Sequence, residues 1–166
     1  MVAEHAGEVT SAQGPRTVAD FGFEDCPPLD LLLVPGGIGT RKAVHDEHLL
    51  SWLREQAATV EILMTVCTGS GLAAKAGVLD GKRATSNKKS FAWACSNSDK
   101  VEWVRQARWV DDGNRVTSSG VSAGMDMALA VIARLYGIEA ADTIANYAEY
   151  EWHRDASWDP FAALYE

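Results

Sequence analysis

Two short, predominantly apolar runs constrain this chain more than any other feature: residues 29–34 and residues 60–66, each broken off by glycine-rich sequence and each leading into helical periodicity. The first lies between Pro27-Pro28 and Pro35-Gly36-Gly37, and the second ends at Cys67-Thr68-Gly69-Ser70. Runs of that length with those flanks read as strands buried on both faces, the pattern of a parallel sheet. Residues 40–56 then carry Ala43, Val44, Leu50 and Leu53 at helical spacing, and residues 72–76 form a short helix stopped by Gly77. Downstream, residues 83–86 read as a strand, and residues 104–110 and 115–118 flank Asp112-Gly113-Asn114 as a hairpin. Residues 125–136 form a helix with Leu129, Ile132 and Leu135 on its apolar face, ending at Gly137, and residues 138–150 form a last helix. Residues 12–20 read as an irregular or hairpin region around Gly14-Pro15. Strand and helix in alternation predict an α/β domain, a mostly parallel sheet with helices on both faces. In such sheets ligands bind beyond the carboxyl ends of the strands, where Gly36-Gly37 and Cys67 both fall.

A length of 166 residues fits one domain, 1–166, and 47% hydrophobic against 23% charged residues supports a packed core rather than disorder. The net charge of -8 argues against nucleic acid or an anionic membrane surface as partner. The one cluster of cations, Lys82, Arg83, Lys88 and Lys89, reads as a solvated loop. No apolar run approaches the ~20 residues of a membrane helix, and the first residues, MVAEHAGEV, have neither the basic nor the apolar region of a signal peptide. Three cysteines, none in a CxxC pair, read as reduced thiols of a cytoplasmic protein.

The segment Ile62 to Gly71 has a chemical logic. A buried strand delivers Cys67 to the sheet end, Gly69 and Gly71 permit a sharp turn, and the following helix points its N-terminus at the thiol. Free N–H groups and the positive end of a helix favour thiolate over thiol. That makes Cys67 the candidate nucleophile, whereas Cys26, before two prolines, and Cys95, after Trp93-Ala94, open no helix after a strand and read as structural. Pro35-Gly36-Gly37-Ile38-Gly39-Thr40 lacks the Gly-Lys-Ser/Thr ending of a phosphate loop and the third glycine of a dinucleotide fingerprint. It suits either an oxyanion hole beside Cys67 or a tight turn without a ligand role.

LLLVPGGIGTR, TVCTGSGLAAKAGVLDGKRATS and VTSSGVSAGMDMALAVIARLYG together resemble the ThiJ/PfpI superfamily, in motif order and spacing, from about residue 2 to residue 150. The resemblance implies a flavodoxin-like sheet of the class I glutamine-amidotransferase-like kind. The VCTGS form of the turn looks most like the isonitrile-hydratase-like branch. Carried over, the resemblance makes Cys67 the nucleophile and Thr68 a hydroxyl beside it, with Gly37 and Ile38 the backbone oxyanion site. It implies a cysteine-dependent hydratase or hydrolase acting on a small electrophile, with no cofactor and no metal. With six tryptophans, several in or near the tail, it also implies a homodimer. Two departures stand out. Many relatives carry a histidine at the position of Ser86, and the family begins with a strand, a loop bearing an acidic residue, and a helix that have no match here. The sequence therefore reads as a domain without the family's first strand and helix, and a substitute partner for the neighbouring strands is expected, residues 1–10 being one choice.

Other assignments compete. Gly120-Val121-Ser122-Ala123-Gly124 fits the G-x-S-x-G turn of serine hydrolases, and Asp142 or Glu149 with His153 would follow in the required order, while the resemblance gives these residues a packing role. ThiJ/PfpI-like domains also serve as sensors and as ligand-binding domains of helix-turn-helix regulators, so a redox switch at Cys67 is the non-enzymatic alternative. His45 and His48, three apart on a predicted helix, read as a solvated face rather than a metal site. His153 lies in an aromatic, charged tail that either covers a site or fills an interface.

Overall fold

A computed structural model describes residues 1–165. Its central sheet has four strands in the order β3 (Leu31–Val34), β4 (Ile62–Val66), β8 (Arg115–Ser118), β7 (Trp109–Asp112). β3, β4 and β8 run parallel, and β7 returns antiparallel to β8 through the Gly113 turn, as its sequence predicts. Ile62 and Met64 of β4 face one way, into a cluster with Trp109, Val116, Met127 and Val131. Leu63 faces the other way, with Leu32, Val34, Leu50, Leu53 and Leu72. Burial on both faces is why β4 reads as a run rather than as an alternation; β3 reads as a run too, but it is buried on one face only, through Leu32 and Val34, not on both as its sequence predicts.

The first face is covered by α5 (Val121–Tyr136), on which α6 (Ile138–Tyr147) folds back after Gly137, φ +90°. The second is covered by α2 (Glu47–Thr59) and α3 (Gly69–Lys75). The helix expected over residues 40–56 is two helices, α1 (Thr40–Ala43) and α2. The break is made by Asp46, whose carboxylate accepts from the His48 and Leu49 N–H groups and caps a new helix. α3 and α5 begin at Gly69 and Val121, earlier than their apolar patterns suggest, because their first turns are built of small residues that pack closely. A Cβ on Gly124 would stand 2.9 Å from Val66 Cγ1. Of the strand expected over residues 104–110 only Trp109 and Val110 lie in β7, which runs on to Asp112; Arg108 N–H bonds the Ala156 carbonyl of the tail instead of a strand.

Smaller elements complete the chain. β1 (Gly7–Thr10) and β2 (Arg16–Ala19) form an exposed hairpin, β5 (Arg83–Ala84) pairs β6 (Glu102–Trp103), and α4 (Phe91–Cys95) lies between them. Residues 1–10 do not substitute for a strand beside β3: β1 pairs β2, and Val2 bridges Phe21. β3 has β4 as its one strand partner among the described residues, and Leu31 and Leu33, on the α5 side, are 38% and 46% exposed. No described helix is long and apolar enough to cross a membrane.

The start of the tail is pinned by a buried carboxylate. Asp126 on α5, fully buried, receives Arg108 Nε at 2.7 Å and Nη2 at 2.6 Å on Oδ2, and the Tyr150 hydroxyl and His153 N–H on Oδ1 at 3.0 and 2.9 Å. Removing one member of such a pair strands the other charge in the interior, at a cost of about 3–5 kcal/mol. Asp126→Ala is expected to lose about that much stability in urea denaturation and to make residues 150–165 sensitive to protease; a loss under about 1 kcal/mol would mean that the tail is held by other contacts.

Candidate functional site

β3 and β4 are parallel and in register, Val34 beside Thr65, so the loops that follow them emerge side by side. The two loops touch through backbone. A Cβ on Gly36 would stand 2.6 Å from Thr68 N, 2.8 Å from Val66 O and 2.9 Å from Cys67 Cβ, and one on Gly69 would run into the Val34 carbonyl oxygen. Glycine is required at both positions by that approach. Between them Cys67 stands at φ +58°, in the left-handed region that a side chain other than glycine rarely occupies. Such strain persists where surrounding structure over-determines it, and it is typical of a nucleophile set on a sharp strand-to-helix turn.

What fixes the turn is a set of hydroxyls. Thr68 Oγ1 accepts from Gly37 N–H at 2.9 Å and donates to the Gly37 carbonyl at 3.1 Å. Ser70 Oγ and Ser86 Oγ both donate to the Cys67 carbonyl, at 3.0 and 3.1 Å, and Cys67 N–H donates to the Ser118 carbonyl. The carbonyl is thus turned inward while Sγ, half-buried, makes no hydrogen bond among the described residues.

The expected site residues gather here, with a division of labour that the sequence does not show. Thr68 is 4% exposed, and its hydroxyl is committed to the glycine loop rather than presented to solvent. Of the two expected oxyanion donors, Gly37 N–H is engaged by Thr68, whereas Ile38 N–H has no acceptor among the described residues. Ser86 is itself a member of the turn. Ser122 is the second residue of α5, with Arg108 Nη2 at 3.5 Å, and no histidine side chain bonds it among the described residues. His153 meets the fold through its backbone N–H. His48 Nδ1 lies 3.6 Å from Glu4 Oε1, and no three metal-binding side chains gather among the described residues.

The sequence pattern of the DJ-1/PfpI family matches residues 1–134. The chain belongs to the DJ-1/PfpI family. Among curated relatives it is 38% identical over 144 residues to isonitrile hydratase of Pseudomonas putida, covering 86% of this chain and 61% of that protein. It is 35% identical over 148 residues to the HTH-type transcriptional regulator GbdR of Pseudomonas aeruginosa, covering 87% of this chain and 39% of the regulator. The chain thus spans less than two thirds of the length of either. A crystal structure of a THiJ/PfpI family protein from Pseudomonas syringae superposes with TM-score 0.78 at 33% identity, over 91% of this chain and 62% of that one. Drosophila melanogaster DJ-1beta, at TM-score 0.74 and 23% identity over 89% of this chain and 79% of that one, shares the DJ-1/PfpI fold.

The cation cluster is corrected by the structure. Lys88 is no solvated side chain: it is 3% exposed, donates to Thr85 Oγ1 at 2.9 Å and to the Ala107 carbonyl at 2.5 Å, and faces Asp159 Oδ2 at 3.8 Å. Burial lowers its pKa to about 8, against the opposing pull of Asp159 and with help from Arg105 and Arg108. Its partner lies seventy-one residues away in the tail, so no local pattern reveals it.

The other two thiols are disfavoured as nucleophiles. Burial pushes Cys26 up, reinforced by Asp25, and burial pushes Cys95 up. Only a thiolate attacks an alkylating agent. With a limiting amount of iodoacetamide at neutral pH, peptide mass mapping is expected to find Cys67 carboxamidomethylated first; earlier labelling of Cys26 or Cys95 would remove the reason for treating the turn as reactive.

Proposed function

We propose that the chain is the cysteine-bearing domain of a hydratase that converts an isonitrile to an N-substituted formamide. The observation that carries this is the left-handed Cys67 on a hydroxyl-locked turn, in a chain 38% identical to isonitrile hydratase over 144 residues. In the reaction the Cys67 sulfur attacks the terminal isonitrile carbon, which takes a proton, giving a thioimidate bound to the enzyme. Water adds to that carbon, the nitrogen is protonated, and collapse releases the formamide and returns the thiol. On this reading Ile38 N–H, one of the glycine-loop amides without an acceptor among the described residues, binds the charge that develops beside Cys67. On this reading Thr68 acts by holding that loop through Gly37, and its hydroxyl relays a proton when it exchanges its bond to the Gly37 carbonyl.

A second reading has its own support, the 35% identity to a transcriptional regulator over 148 residues. On that reading the same turn is a sensor or ligand-binding element, and Cys67 is oxidised stoichiometrically without turnover.

Turnover of a panel of alkyl and aryl isonitriles, followed as formamide by mass spectrometry, separates the two. Wild-type turnover is expected, with Cys67→Ser at background. Thr68→Val is expected to fall at least about tenfold, roughly 1.4 kcal/mol of barrier, while Thr68→Ser retains activity. Turnover surviving in Cys67→Ser would refute the nucleophile, and no turnover together with one oxidation equivalent per chain would favour the sensor.

A further inference from the structure

A cavity of about 220 Å³ lies at the N-terminus of α5, enclosed on one side by the tail; Cys67 is not among its lining residues. Pockets for drug-sized ligands run to roughly 300–1,000 Å³, so its occupant is small. Three features of the wall specify that occupant.

The first is the helix itself. α5 has sixteen residues, its N-cap is Gly120 with no side-chain cap, and its first turn holds no acidic residue. The N–H groups of Val121, Ser122 and Ala123 have no acceptor among the described residues, and Ser122 and Ala123 line the cavity. Such an end attracts an anion.

The second is an excess of cations. Lys88, Lys89 and Arg108 all line the cavity. Arg108 is neutralised by Asp126, and Lys88 faces Asp159, but exposed Lys89 has no ion-pair partner among the described residues.

The third is Asp159, which lines the same cavity at 1% exposure. Its Oδ1 accepts from Phe161 N–H at 3.1 Å, while Oδ2, 3.8 Å from the Lys88 ammonium, has no hydrogen-bond partner. A buried carboxylate oxygen with an ammonium at 3.8 Å but no hydrogen bond is under-satisfied and calls for a hydrogen-bond donor.

An anion for the helix end and a donor for Asp159 are demands that one small ion meets at once. We propose that this cavity binds an oxyanion carrying its own proton at neutral pH, hydrogenphosphate. Its unprotonated oxygens face the α5 N–H groups and Lys89, and its P–OH donates to Asp159 Oδ2. Sulfate has the same shape and no proton at neutral pH. It would set an oxygen against the Asp159 carboxylate and is excluded on that ground. The site is separate from Cys67, and its occupancy does not depend on the hydratase reading.

Isothermal titration of the whole chain at neutral pH and constant ionic strength with inorganic phosphate, methyl phosphate and sulfate tests this. Phosphate is expected to bind at one ion per chain and sulfate at least about tenfold more weakly. Methyl phosphate, which has lost most of its second proton at neutral pH, is expected to bind more weakly than inorganic phosphate, and tighter binding of methyl phosphate would overturn the P–OH contact. Ser122→Asp sets a carboxylate over the same N–H groups. It is expected to keep or raise the melting temperature, because acidic residues suit a helix N-terminus, and to weaken phosphate binding at least about tenfold. Lys89→Ala weakens phosphate binding, whereas Lys42→Ala, at an exposed position on α1, leaves it unchanged. Equal affinity for phosphate and sulfate, phosphate affinity unchanged in folded Ser122→Asp, or no binding at about 10 mM phosphate would each overturn the proposal.

Discussion

The hydrogen bond from Gly37 N–H to Thr68 Oγ1 joins two loops separated by thirty-one residues, and the geometry at Cys67 depends on it. Parallel pairing of β3 with β4 brings the loops level, but glycine-rich chain is flexible and strand pairing alone would leave it free. Left-handed backbone at a cysteine costs about 1–3 kcal/mol. One neutral hydrogen bond contributes about 0.5–1.5 kcal/mol, too little to hold the strain alone. The remainder comes from the close approach at Gly36 and Gly69 and from the two serine hydroxyls on the Cys67 carbonyl. The turn is therefore a cooperative unit whose members come from four places in the chain, the ends of β3, β4, β5 and β8.

On the far side of β8 the same economy of hydroxyls gives way to charge. Asp126 gathers Arg108, the Tyr150 hydroxyl and the His153 N–H, and so ties the tail across the start of α5. Tyr150 reflects this: burial, then the Asp126 carboxylate, push its hydroxyl above the ordinary tyrosine range. The tail in turn carries Asp159 to Lys88. Two carboxylates thus set where residues 150–165 lie, and the residues resembling a serine-hydrolase turn serve as the helix start against which that tail is fastened. Gly124 belongs to the same packing, since only a residue without Cβ lets α5 sit on Val66.

Much of the sheet was legible because strands of a parallel sheet write themselves as apolar runs: β4, within residues 60–66, is buried on both faces, and residues 29–34 write the same run although Leu31 and Leu33 stay exposed. The helix boundaries were less so. Apolar spacing runs unbroken through Val44 and Leu50, and only the capping carboxylate of Asp46 divides the helix there. The first turns of α3 and α5 contain Gly69, Ser70, Ala123 and Gly124, small residues that write no stripe of large apolar side chains and whose size is what the packing needs. At the site, strand, turn and helix exposed Cys67 from sequence, but the engagement of Gly37 by Thr68 could not be read, since both are compatible with solvent until the loops are set side by side. Lys88 and Asp159 were hidden for a related reason: a charged residue reads as solvated unless its partner is near in sequence.

The interaction on which this rests is observable directly as amide hydrogen exchange in the glycine loop, read residue by residue by NMR. Gly37 N–H, bonded to Thr68 Oγ1, is expected to exchange at least about tenfold more slowly than Ile38 N–H, and to lose that protection in Thr68→Val while the β4 amides keep theirs. Gly37 exchanging as fast as Ile38 in the unaltered chain would contradict the clamp, and with it the explanation of why Cys67 holds its conformation.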